Sequence, residues 1–275
     1  MRYKIIAFVF FSFSIIPFVK SQDTCDLKYN FQLLPQSHIV QLYTADSRAH
    51  RLSVQKPINS RGYIGSMGGI FPVASLSHLN KTVQFSVASS AYLTLNRWDN
   101  KGQVVNVDFF VDLFFDFQFN KNFSLRSGGG HTSQHLSDDA LQAGMIQINY
   151  VRDYYLLFLN YNANKKQFYA YGGLIYNHNF KTTVDHSGQS IYQIGFEHSP
   201  IKWLKYNYIY YAFDFKLREE SNFATSNNFQ IGYKYALPLK HTARIAYNYF
   251  TGISEVGQTY KTINDFTTLG IYFDF

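Results

Sequence analysis

The chain has 275 residues, 46% hydrophobic and 19% aromatic, with 23 Tyr and 27 Phe against a mean hydropathy of only −0.20. Its formal charge of +7 falls to +4 once Arg2, Lys4 and Lys20 leave with an N-terminal leader, and the remaining basic residues are scattered, which argues against a nucleic-acid partner. A single cysteine, Cys25, excludes an internal disulfide, and the absence of C-x-x-C and H-E-x-x-H excludes the common zinc motifs.

The leader comes first. Arg2 and Lys4 precede an apolar run from Ile5 to Phe18, and small Ser21 stands just before Gln22. A charged head, a short apolar core and a small residue predict a signal peptide over 1–21. The run is shorter than the ~18–20 residues that a spanning helix requires. Gln22, Asp23 and Thr24 separate Cys25 from the expected cut, so a lipid anchor is not expected. Alternating apolar runs begin only near His50. Residues 22–48 are therefore expected to form a periplasmic N-terminal segment, and 49–275 a barrel.

From there the side-chain period is two. Val107, Phe109, Val111, Leu113, Phe115 and Phe117 form one apolar face. Phe229, Ile231, Tyr233 and Tyr235 form another, and Ala243, Ile245, Tyr247 and Tyr249 a third. Helical spacing fits none of them. The last strand, Phe266 to Phe275, sets Leu269, Ile271, Phe273 and Phe275 against Gly270, Tyr272 and Asp274. About twelve strands are predicted, starting near residues 49, 65, 81, 104, 122, 143, 167, 189, 203, 226, 241 and 264, with ten or fourteen as the neighbouring counts. The stretch 143–162 loses register near Arg152–Asp153 and is expected to be one strand with a bulge there.

The connections alternate in length. Short turns are expected at 77–80, 119–121, 163–166, 199–202 and 237–240, and longer loops near 96–101, 135–142, 179–188, 217–225 and 251–263. Outer-membrane barrels have short periplasmic turns and longer outer loops, and polar lumen positions dilute their lipid-facing ones. The expectation is an all-β, antiparallel up-and-down transmembrane barrel in a bacterial outer membrane, with both termini periplasmic. Outer-membrane lipids are then the surrounding partner.

Charges fall on the faces opposite the apolar ones: Asp108, Asp112, Asp116, Arg126, Lys234, Arg244 and Asp274. Charges inside a narrow lumen need partners or water. They are expected to form a bracing network in a largely filled lumen, with a selective pore lining for a passive small-solute channel as the alternative.

One segment carries possible chemistry. Residues 126–139 read R-S-G-G-G-H-T-S-Q-H-L-S-D-D. His131, Ser133 and His135 share the outward parity of Phe123 and Leu125, at the loop end of their strand. A His and a Ser at i and i+2 are neighbours on a strand face and can act as base and nucleophile. Asp138 or Asp139 is the carboxylate expected to orient the His. The bland reading is a loop entry in which His131 and His135 cap the rim and Asp138–Asp139 form an acidic turn. No cofactor is expected beyond the option of a divalent cation held at Asp138 and Asp139.

Two resemblances follow from these residues. The H-x-S pair, His131 and Ser133, resembles that of outer-membrane phospholipase A and the lipid A deacylases, which carry a His and a Ser on the barrel exterior. Here Gln134 stands where an Asn commonly follows the Ser. The resemblance implies a lipid esterase as the enzymatic option. The pattern His131, Ser133, His135, Leu136, Asp138, Asp139, followed by Ile148 to Tyr161, resembles an outer-membrane family known only as a domain of unknown function. It implies a barrel and no established activity. The terminal aromatic is similar to the signal read by the barrel-assembly machinery, which makes Phe275 an assembly signal and that machinery a partner.

Overall fold

The computed structural model describes residues 29–98, 101–163, 165, 167–182, 188–237 and 241–275. The expected signal peptide and Cys25 lie outside the described residues. Thirteen strands run in chain order: β1 (Tyr29–Leu33), β2 (Leu52–Pro57), β3 (Tyr63–His78), β4 (Lys81–Trp98), β5 (Lys101–Gln118), β6 (Phe123–Leu136), β7 (Tyr150–Ala163), β8 (Phe168–Thr182), β9 (Ser190–Leu204), β10 (Asn207–Arg218), β11 (Ala224–Ala236), β12 (Thr242–Ile253) and β13 (Ile263–Asp274). Each of β3 to β12 pairs antiparallel with the next, and β13 closes on β2 from Thr268 to Phe273. The result is a closed twelve-stranded barrel, β2 to β13.

The two-residue period explains the closure. In β5 the residues Phe109, Val111, Leu113 and Phe115 are exposed on the outer wall, while Asp108, Asp112 and Asp116 are buried inside. The same alternation puts Leu269, Ile271, Phe273 and Phe275 outside and fully buried Tyr272 inside. A ring has no free edges, so the strands satisfy their backbones on both sides except along β3 between the partners of β1 and β2.

Several elements depart from the sequence reading. β7 begins at Tyr150, because residues 143–149 form no strand, and its pairing with β6 is unbroken from Tyr150 to Tyr161. The bulge expected at Arg152–Asp153 lies instead on β8. Asp153 pairs with Asn179 but Tyr154 pairs with Asn177, so His178 is the extra residue. The β9–β10 turn lies at 205–206 rather than 199–202. The long loop expected at 96–101 is strand through Trp98 and again from Lys101.

The largest departure concerns the N-terminal segment. β1 pairs with Ala74–His78 of β3, and β2 pairs with Ile64–Ser66 of the same strand. Together they are one first strand, interrupted. The residues between them, 34–51, leave the wall and enter the lumen. Residues 34–48 of this stretch belong to the expected N-terminal segment and 49–51 to the expected barrel, and Val40, Ala45 and Arg51 are each 1% exposed. This plug is held along its length. Gln84 Nε2 donates to the Ser37 carbonyl (2.7 Å) and the Tyr43 ring stacks on Tyr171 (centroids 3.8 Å). Lys216 Nζ contacts Asp46 (2.6 Å), Arg48 pairs with Asp108 (3.2 Å) and His50 with Asp112 (2.5 Å). No strand-like apolar alternation announced it, because charges and amides seat it alongside the short apolar run Ile39, Val40, Leu42 and Tyr43.

A second segment covers the loop end. Between β12 and β13 the chain turns inward, burying Ser254, Gln258 and Tyr260. Gln258 Nε2 donates to the carbonyls of Gln134 (3.1 Å) and Ile148 (2.8 Å). At Gly257 a Cβ would lie 0.9 Å from Gln134 Oε1 and 2.8 Å from Gln134 Cβ, so a larger residue there displaces the Gln134 side chain. At the turn end, below the plug, a vestibule of about 710 Å³ is lined mostly by amide and hydroxyl side chains, among them Gln32, Ser75, Thr82, Gln118 and Asn122.

Candidate functional site

The lumen charges that the sequence singles out are paired. Arg126 holds Asp116 through two parallel bonds, Nε and Nη2 each at 2.8 Å, with Phe114 under the guanidinium at 4.1 Å. Arg244 holds Asp274 in the same way (2.6 and 2.8 Å). Lys234 pairs with Glu197, and Asp108 and Asp112 take Arg48 and His50 from the plug. Bidentate geometry and full desolvation make such pairs costly to break, so they act as braces.

One lumen group has the connectivity of a catalytic relay. Ser90 Oγ lies 3.0 Å from His50 Nδ1, and His50 Nε2 lies 2.5 Å from Asp112, which also accepts from Tyr154 Oη (2.7 Å). Ser90 is buried, and it lines neither the vestibule nor the cavity that His50 and Asp112 line. The group anchors the plug. Gly130 makes room for it: a Cβ there would lie 1.8 Å from Asp112 Oδ1 and 2.7 Å from the Tyr154 ring.

The outer wall differs. His131, Ser133 and His135 face outward on β6, with inward Thr132, Gln134 and Leu136 buried between them. Their cross-strand neighbours on β5 are Val111, Phe109 and Val107, and the His135 ring lies 6.2 Å from Phe109. On the other side His131 stands opposite Asp153 of β7. Its Nδ1 lies 2.6 Å from Asp153 Oδ1, with the two side chains 50% and 33% exposed. Asn179 Nδ2 of β8 donates to Asp153 Oδ2, also at 2.6 Å. Three adjacent strands thus build one polar row in an apolar wall.

Asp138 and Asp139, the carboxylates expected behind the His, are not part of this row. They open the short helix α1 (Asp138–Gln142), whose first turn is capped by the Ser137 side chain on the Ala140 N–H (3.1 Å). Both are exposed, and their place is that of acids at a helix N-terminus. Among the described residues no three His, Cys, Asp or Glu side chains gather as a metal site. Asp153 carried a readable signal: it shares outward parity with Tyr155, Leu157 and Leu159, where an acid is out of place. Asn179 carried none. By parity from Asn177 it would face the lumen, and only the bulge at His178 turns it outward.

A carboxylate can only accept, so in the neutral imidazole Nδ1 of His131 carries the proton and Nε2 presents a lone pair on the side away from Asp153. Ser133 lies two residues along the same face, about 7 Å by strand geometry. Its hydroxyl has no hydrogen-bond partner among the described residues. Phe275, at the turn end, lies on the outer wall against Gly69 with its ring 6.1 Å from His241.

These features define a closed, plugged twelve-stranded β-barrel with a Ser, a His and an Asp side by side on its outer wall. The chain belongs to the family described as protein of unknown function DUF1207, whose model matches residues 19–275. No curated protein matches the sequence. Among solved structures, outer membrane phospholipase A from Escherichia coli is similar in fold, at 11% identity and a TM-score of 0.47, with 82% of this chain and 88% of that one covered.

Proposed function

We propose that this protein is an outer-membrane lipid esterase whose chemistry runs on the outside of the barrel. The observation that carries the reading is the His131–Asp153 hydrogen bond, with Ser133 next along the same outward face. Ser133 Oγ adds to the acyl carbonyl of a lipid ester while His131 Nε2 takes its proton. The same imidazole returns that proton to the leaving alcohol, and water then releases the fatty acid from the acyl-serine. Asp153 holds the tautomer and balances the transient imidazolium. The exposed belt of Phe109, Val111, Leu113, Leu157 and Leu159 suits acyl chains beside the nucleophile. An apo site need not show the nucleophile–base bond, which tightens when substrate docks.

The passive-channel reading has less support, because the plug and the cap at Ser254–Thr262 occupy the lumen. The test is fatty-acid release from mixed phospholipid and lipopolysaccharide vesicles. Ser133→Ala is expected to lose activity by several orders of magnitude while the barrel keeps its folded electrophoretic mobility. Equal release by wild type and Ser133→Ala would overturn the reading.

A further inference from the structure

Between the plug and one side of the wall lies a chamber of about 120 Å³ that no bracing role explains. Its walls include Ile70, Phe110, Phe114, Leu156, Ile175 and Ile191, all on the lumen faces of their strands. A lumen that only braces charge or holds water has no use for so many apolar side chains in one place. A dry void forfeits the dispersion contacts of its lining. Apolar cavities of about 150 Å³ are known to admit a benzene ring.

The polar part of the chamber is as specific. Arg48, Arg126, Lys216 and Arg218 each sit within 3.2 Å of a carboxylate oxygen. Arg152 does not. It lines the chamber, is 9% exposed, and its Nε has no hydrogen-bond partner among the described residues. Its nearest carboxylate oxygen is Glu220 Oε1 at 3.9 Å, already engaged by Arg218 Nε (2.8 Å) and Tyr150 Oη (3.1 Å). Its other neighbour is the face of Tyr150 at 5.1 Å. A buried guanidinium so poorly paired is costly, and a planar carboxylate is the group it matches best.

We infer that the chamber binds a compact amphipathic monocarboxylate, its ring or short acyl body against Phe110, Phe114, Leu156 and Ile175 and its carboxylate on Arg152. The nearby carboxylates of Asp112, Glu220 and Glu255 disfavour a doubly charged phosphate. The site is independent of the outer-wall Ser133 and of hydrolysis.

The test uses the full barrel in detergent, refolded with 4-fluorobenzoate or its neutral twin 4-fluorobenzamide so that entry is not limiting, with bound probe counted by fluorine NMR. One 4-fluorobenzoate per barrel is expected, with the amide at least tenfold weaker. Arg152→Met is expected to abolish the difference between the two probes, and Ile175→Phe, which fills the chamber, to lose both. No bound 4-fluorobenzoate, equal binding of acid and amide to the unaltered barrel, or undiminished preference in Arg152→Met would each overturn the inference. The acid–amide comparison decides even if a variant fails to fold.

Discussion

Replacing Asp153 by Asn exchanges one carboxylate oxygen for an NH₂ group and tests the outer-wall site directly. Asp153 accepts from His131 at one oxygen and from Asn179 at the other, both at 2.6 Å. An asparagine there can accept at one end only. With the Asn179 amide in its present orientation, donating through Nδ2, that oxygen is taken by Asn179 and the new NH₂ of residue 153 turns toward His131 Nδ1. The imidazole must then accept at Nδ1 and carry its proton on Nε2, facing Ser133, where it is no base. A wrong tautomer of this kind costs about 10³–10⁴ in turnover, or about 4–5.5 kcal/mol of transition-state stabilisation. Stability is expected to move little, because an ion pair this exposed contributes ~1 kcal/mol or less. The swap Asp153→Asn with Asn179→Asp sharpens the argument. The carboxylate at 179 draws the NH₂ of residue 153, leaving its oxygen free to accept from Nδ1, and activity is expected to recover at least tenfold over the single variant. Fatty-acid release from vesicles reads both. An Asp153→Asn barrel within threefold of wild type, or a swap no better than the single change, would refute the relay.

Two further predictions concern the lumen. Replacing residues 34–51 by six alternating residues would fill the six positions of β3 between the partners of Leu33 and Leu52 and make the first strand continuous. With the Ser254–Thr262 cap also shortened, stepwise conductance is expected in planar bilayers, whereas the intact barrel is expected to be silent; conductance by the intact barrel would refute the plug. Gly130→Ala drives a methyl into Asp112 and Tyr154 and is expected to lower stability by about 1–3 kcal/mol, measured by urea unfolding in detergent. An unchanged midpoint would show that the His50–Asp112–Tyr154 cluster yields freely.

The wall was legible in the sequence because a barrel repeats one simple rule. Phe109, Val111 and Leu113 point out and Asp108, Asp112 and Asp116 point in, so a period of two suffices. His131 and Ser133 were legible for the same reason, as polar residues in an apolar phase. Asp153 could have been read likewise, but the nearer acids at 138 and 139 drew the assignment. Sequence proximity misled, since a strand face is completed across the ladder rather than along the chain. Asn179 depends on a one-residue bulge at His178, and register is a property of the pair, not of either strand. The plug was invisible because Asp46, Arg48 and His50 gain their meaning only from partners 60 to 170 positions away.

The interrupted first strand has a consequence for motion. Both ends of the plug are stitched into the wall, one through β1 and one through β2. A free N-terminal tail could swing out of a barrel and leave the ring intact. Here, withdrawal pulls on β2, which is held to β3 by only three residue pairs and is the strand that closes the circle against β13. Emptying the lumen and opening the ring are therefore one mechanical event, and a load on either is carried by both.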